Sequence, residues 1–396
     1  MKEWKEYRIK DLGEVITGNT PPTSNREYYG TEYKFIKPTD MVEGQRFVPT
    51  TEEYYSELAY QKYKKCLLPP KTPCVVTIGS LGKKMCLTDT ECFTNQAVNA
   101  VIPNKENDGE FLYYAFKASV LAYVKQLDSG TTSGRENVSK SSFSKIKVRV
   151  PSLHTQQKIA SILSAYDDLI QNYKKQIEAL QTAASELYKE WFVRFRFPGW
   201  QTTKFENGIP EGWKVVRFNE IAELINGRAY LMPELQETGK YRIVRVGNFS
   251  GKDEWFYSDM ELEDNKYCES GDLLYKWACN FGPEIWNEEK VIYHYHIWKV
   301  IPNKNNMKKM FLYHLLNFST PQWLGGTNGT AMVHITKESM EKKRIVLPSF
   351  ELINEFDIIA ENLNKRCRNL EQQITNLTQQ RDLLLPRLMS GKLEVE

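Results

Sequence analysis

No apolar run in the 396 residues approaches the roughly 20 that a membrane-spanning helix needs. The opening MKEWKEYRIK lacks the apolar stretch of a secretory signal. Together these lead us to expect a cytoplasmic protein that no membrane holds. The seven cysteines include no CxxC pair, which speaks against a zinc ribbon or a disulfide framework and for a reduced compartment. The nucleotide-binding patterns GxGxxG and GxxxxGK[ST] are missing, and so is the metalloprotease pattern HExxH. Gly79-Ser-Leu-Gly82-Lys83 is two residues too short for a phosphate loop. Histidine is scarce, at five residues. His294 and His296 alternate along YHYH, as on one face of a strand, but no carboxylate or cysteine beside them completes a metal set. Glu288-Glu289-Lys290 has half of a nuclease pattern without its Pro-Asp partner, and reads as a solvated turn. Net charge is only +3, so nucleic-acid binding would have to come from local patches. The chain does not read as a catalyst. No metal and no cofactor is expected on it.

What the chain does have is heptads. From Pro151 to Phe197, Leu163, Ile170, Ile177, Ala184 and Trp191 fall seven apart. Ile159, Tyr166, Tyr173, Leu180 and Leu187 form a second row. Two such rows make the narrow a/d seam of a coiled-coil helix. Asp167, Asp168, Lys174, Lys175, Glu178 and Lys189 lie between them, as on a solvated face. The pattern returns 197 residues later. One row is then Phe356, Leu363, Leu370, Leu377 and Leu384. The other is Ala360, Cys367, Ile374, Arg381 and Leu388. Arg381 is the one charged member, expected near the seam's end with its charge reaching water. Pro151-Ser152 and Pro348-Ser349 mark both helix starts. Ordinary amphipathic helices in a globular core are the plainer alternative.

The segments before each helix also repeat. WKEYRIKDLGEVITG at Trp4 aligns with WKVVRFNEIAELING at Trp213, VIPNKEN at Val101 with VIPNKNN at Val300, and FLYYAFKAS at Phe111 with FLYHLLNFS at Phe311. Residues 40–95 and 248–295 hardly match. The strand-like runs TEYKFIK, TPCVVTI, AVNAVI and SKIKVRV, with a helical Phe111–Lys125, indicate a mixed α+β domain in which strands dominate. The layout is domain 1–150, helix 151–198, domain 199–347 and helix 348–396. The helices are expected to pair antiparallel. Ile159 to Trp191 would make a rod of roughly 50 Å.

Two loops hold equivalent places, Ser129 to Asn137 and Gly325 to Thr330. Their glycines let backbone approach a phosphate, and Thr131, Thr132, Arg135, Asn137, Thr327 and Asn328 offer donors. Lys62, Lys64, Lys65, Lys83, Lys84 and Lys140 add positive charge, as do Arg228, Arg245 and Lys337 in the second domain. Composition alone fits contact loops and ordinary surface loops equally.

The repeated Trp pattern, IGSLGK followed by FTNQAV, VSKSSFSKIKVRVPSL, LYKEWFVRFRFPG and RLMSGKLEV occur in an order that resembles the specificity subunits of Type I restriction-modification systems. The resemblance covers essentially the whole chain. It implies two target-recognition domains, each reading one half of a split site in double-stranded DNA, with the helices as spacer and docking surface. It implies two methylation subunits and restriction subunits as partners, to which S-adenosylmethionine, ATP and Mg²⁺ would belong. Two departures stand out. KWACNFGPEIW (Lys276 to Trp286) replaces the Gly-Ser-x-Gly loop in the second domain, which puts a DNA-contact role there in doubt. His154-Thr-Gln156-Gln157 lacks the acidic residue usual before the second glutamine. A protein-only coiled-coil adaptor and an enzyme with an unrecognised catalytic site are the competing readings.

Overall fold

The computed structural model describes residues 4–127, 136–251, 254–325 and 335–395. The chain forms two compact units, residues 1–174 with 371–396, and residues 175–370.

In the first unit, Lys5–Arg8 pairs antiparallel with Lys147–Val150, so the domain's two ends close on each other just before the long helix. Gly13–Thr17, Val98–Pro103, Pro73–Val76 and Met85–Leu87 follow as neighbours in a four-stranded antiparallel sheet. A second small sheet carries the parallel pair Tyr33–Ile36 and Cys92–Thr94. The helical run expected at 111–125 spans 109–126, with a wider π turn at Phe116–Val120.

The second unit repeats this plan, including the middle that shares almost no sequence. Lys214–Arg217 pairs with Arg344–Leu347. Ala222–Asn226, Ile297–Pro302, Leu273–Lys276 and Gly282–Ile285 form the matching sheet. Tyr241–Val244 and Val291–Tyr293 form the matching parallel pair. Strand pairing needs backbone groups and alternating burial rather than particular side chains, so the middles could diverge without changing topology. What could not diverge is the glycine ending each Trp pattern. A Cβ on Gly18 would lie 2.1 Å from the Thr94 carbonyl oxygen, and one on Gly227 would lie 2.4 Å from that of His294.

The first long helix runs Leu153–Tyr188 and the second Phe350–Met389. Ser152 and Ser349 sit at their N-caps, as the Pro-Ser signal predicts. In the first unit the helices pair start to end: Ile159 and Leu163 share a core with Leu385 and Leu388, and with Phe111 and Phe116 of the domain. In the second unit the order reverses, with Tyr188, Trp191 and Phe192 against Phe356 and Ala360. Every seam residue is buried or half-buried. Ile170, Ala184 and Cys367 are buried; Tyr166, Tyr173, Ile177, Leu180, Leu187, Leu363, Leu370, Ile374, Leu377 and Leu384 are half-buried. The helices also grip the domains. The buried Gln156 amide oxygen accepts the Asp108 N–H at 2.9 Å, and its NH2 shares its two hydrogens among the oxygens of Pro151, Asn107 and Glu106. Asp357 accepts the Met310 N–H at 2.8 Å in the second unit.

Two expectations about the helices fail together. Arg381 is buried, and Asp167 is no part of a solvated face. Their side chains are each 9% exposed and pair at 2.5 Å. The Tyr114 hydroxyl also donates to Asp167, at 2.6 Å. Asp168 does reach water, but it is bound by the buried Arg46. A heptad marks which residues face the partner helix; it carries no information on the charge waiting there.

Candidate nucleic-acid interface

In each domain three turns meet at one end of the four-stranded sheet. In the first they lie near Asn19, over 77–84 and at 95–97. The Asn19 N–H donates to the Thr94 carbonyl at 2.9 Å. The Thr77 and Ile78 N–H groups donate to the Ala97 carbonyl at 2.8 and 3.3 Å. Beneath them Thr17, Asn99 and Thr77 form a hydrogen-bonded chain of 2.5 and 2.8 Å. The end of the Gly-Thr loop is stitched on: the Gly79 N–H donates to the Glu136 carbonyl at 3.0 Å, and Ile78 bridges Asn137. Thus the structure brings together two segments that sequence reading singled out separately.

The candidate lysines have different roles. Lys83 is exposed on the 77–84 loop. Lys84 turns inward and its ammonium donates to the Pro38 carbonyl at 2.8 Å, so it is a structural strut. Lys140 and Lys337 occupy the same position, first residue of a short helix capped by Ser139 or Thr336. Lys140 is exposed, while Lys337 approaches Glu341 at 3.7 Å. Thr131, Thr132, Arg135, Thr327 and Asn328 lie outside the described residues.

In the second domain the same end of the sheet carries different chemistry. Arg228 exchanges backbone bonds with Tyr293 and Tyr295, both at 3.0 Å. Its guanidinium is held by Glu234 through two bonds of 3.0 and 2.7 Å, which cancels most of its charge. Arg245 is half-buried, 4.8 Å from the centre of the Phe256 ring. The loop equivalent to 77–84 is Trp277 to Phe281, three residues shorter. The Trp277 indole N–H donates to the Tyr295 carbonyl at 2.8 Å. His294 and His296 are not on a strand but at the turn between Val291–Tyr293 and Ile297–Pro302, their rings 4.8 Å apart. Burial, then His296 and Arg245, push the His294 pKa down to about 4, so near neutral pH it is an uncharged hydrogen-bonding group. Sequence reading assigned these histidines a structural place and passed over Trp277. The loop itself is matched in sequence, as KWACNFGPEIW, but without a contact role for its residues.

The two lysines of the first domain make a paired test. Lys83→Ala should weaken binding to all DNA alike and reduce the slope of log affinity against log salt by about one, without loss of stability. Lys84→Ala should instead lower stability by about 1 kcal/mol, through the lost bond to Pro38. Salt titration and urea unfolding of both variants separate the roles; a Lys83→Ala slope equal to wild type removes that residue from the contacts.

A family model described as the Type I restriction modification DNA specificity domain matches the chain twice, over residues 1–182 and 210–379. The chain is 29% identical over its whole length to the MjaIX specificity subunit of Methanocaldococcus jannaschii, covering 94% of that protein. It is 37% identical over 164 residues to the HindI specificity subunit of Haemophilus influenzae, covering 40% of this chain and 35% of the other. The crystal structure of the Type I restriction-modification S subunit from M. genitalium superposes with a TM-score of 0.63 at 17% identity, over 98% of this chain and 96% of that one. That likeness concerns the fold. Among the described residues no helix is long and apolar enough to cross a membrane.

Proposed function

Because the chain belongs to the Type I restriction modification DNA specificity domain family, we propose that it is the DNA-reading subunit of such a complex, each domain recognising one half of a split site. The observation that carries this reading is the contrast between the two sheet ends. One backbone plan presents a Gly-Ser-x-Gly loop with Lys83 in the first domain, and Trp277, His294, Tyr295 and His296 in the second. Base edges in the major groove are told apart by donor and acceptor patterns. Two copies of one scaffold with unlike loops suit two different half-sites. An adaptor binding only protein has no need of that divergence.

On this reading the chain itself is non-catalytic. Methyl transfer from S-adenosylmethionine, and ATP- and Mg²⁺-dependent cleavage, belong to methylation and restriction subunits, with the long helices as docking surface for the former. The helices also set the spacer. Half-sites on one face of B-DNA lie about 34 Å apart, one turn of the duplex. The test is domain exchange. Replacing residues 1–150 with the same region of a related subunit should change one half of the methylated motif and leave the other half intact, as read by methylome sequencing. A motif altered in both halves refutes one reader per half-site.

A further inference from the structure

The second domain carries an apolar tip that nothing above uses. Leu231 and Met232 are 70% and 79% exposed, more than any other large apolar side chain described. Water-facing apolar surface of this kind, grouped rather than scattered, marks a contact. The tip is not a loose end of chain. Glu234 accepts the Leu231 N–H at 2.8 Å while it clamps Arg228. The Leu235 N–H donates to the Met232 carbonyl at 3.2 Å, closing a short 3₁₀ turn that contains Pro233. Beyond it, Gln236 and Tyr257 exchange backbone bonds of 3.0 and 2.9 Å. Both feet of the loop are therefore anchored, and the backbone carries the two side chains outward into water.

Its location names the partner. The foot at Arg228 is hydrogen-bonded to Tyr293 and Tyr295, so the tip rises from the same sheet end as the proposed base-reading turns. We propose that Leu231 and Met232 form a wedge that enters a base step of duplex DNA in or beside the second half-site. The proposal rests on the DNA-reading function above. Apolar wedges of Leu, Met, Ile or Phe unstack a step and kink the duplex, and the unstacking cost is offset by the contacts that the bend allows. A backbone anchored at both feet lowers the cost of ordering the loop, leaving the rotamers of the two side chains to be fixed on binding. Because flexible steps such as TA and CA unstack most readily, the wedge contributes specificity without touching a base edge. The corresponding stretch of the first domain, Thr20 to Ser24, reads Thr-Pro-Pro-Thr-Ser. No exposed Leu or Met stands there, so the wedge proposed here belongs to the second domain alone.

The test uses the full chain assembled with its methylation subunits, and a duplex carrying the motif found by methylome sequencing. 2-Aminopurine is placed in turn at each position through and beside both half-sites. Wild type should raise fluorescence at one step in or next to the second half-site, apart from any signal at the methylated base itself. Leu231→Ser with Met232→Ser should abolish that rise alone. The double variant should bind about tenfold more weakly, and an abasic nucleotide at that step, which removes the stacking cost, should restore most of the loss. Equal fluorescence and affinity in variant and wild type overturn the wedge while leaving the reader intact. A variant that fails to assemble with methylation subunits in the absence of DNA assigns the tip to a protein contact and overturns it too. If wild type does not prefer the motif duplex over a scrambled one, the DNA-reading function fails and the wedge with it.

Discussion

Asp167→Ala should strongly destabilise the first unit, costing about 3 kcal/mol. Its carboxylate is the buried one of three that pair with the arginines there; Asp168 and Asp382 reach water. Arg381 pairs with it at 2.5 Å and Tyr114 donates to it at 2.6 Å. The buried Arg46 stands beside it, its hydrogen-bond partners being Tyr114 and Asp168. Lys117 is close by, its pKa lowered by burial and by Arg381. Removing the anion leaves Arg381 buried with Asp382 as its remaining carboxylate, at 2.8 Å, and with Lys117 nearby. Arg381→Ala should cost less, because Tyr114 still satisfies Asp167 and the nearby Lys117 ammonium is relieved of a repelling charge. The repeat itself suggests the rescue. The positions 197 residues away from Asp167 and Arg381 are Asn364 and Ala184, and that from Tyr114, 200 residues on, is His314. The second unit manages without the ion pair. Asp167→Asn combined with Arg381→Ala should therefore recover most of the loss, since a neutral pair pays no desolvation of charge. Hydrogen exchange of amides in 109–126 and 153–170 reports the first unit separately, which matters because two units need not unfold together. Equal protection in Asp167→Ala and wild type would mean that the group contributes nothing net.

The same comparison shows where sequence reading works and where it stops. The seam was legible because a seven-residue period has a direct geometric meaning, and every row member is at least half-buried. The edges of the domains were legible because Trp4, Trp213, Gly18 and Gly227 each answer to packing or close backbone approach, constraints that tolerate few residues. The likeness of the two middles was not, although TPCVVTI read as a strand and is one, because Pro73–Val76 and Leu273–Lys276 need only be buried and extended. The candidate interface was half legible. Lys83 and Asn137 do meet on one loop cluster. Lys84 looked the same in sequence as Lys83 and points inward, since one residue of register decides which way a side chain faces. Trp277 was not singled out because its loop, KWACNFGPEIW, does not reproduce the Gly-Ser-x-Gly pattern.

His314 supplies a large pH effect. It is 5% exposed, its Nε2 finds no hydrogen-bond partner, and its ring packs among Tyr188, Tyr313 and Phe356. Burial alone draws its pKa down to about 4. In the unfolded chain a histidine titrates near 6.5. Between those values the unfolded state binds the proton and the folded state does not. The stability that a neutral His314 allows is therefore present in full above about pH 6.5 and drains away as pH falls towards 4. At pH 4.5 the expected loss from this residue is about 2–3 kcal/mol. His294 acts in the same sense, its pKa also near 4, but it is less buried and adds less. Carboxylates begin to titrate at the lower end of this range, so the variant must be compared with wild type at each pH. His314→Phe keeps the ring and removes both the orphaned nitrogen and the titration. At pH 7.5 it should be neutral or slightly stabilising. At pH 4.5 it should be more stable than wild type by about 2 kcal/mol or more, seen as slower exchange of amides in 309–324 and 350–360. An equal pH dependence in the two proteins would show that some other group in the second unit takes up the proton.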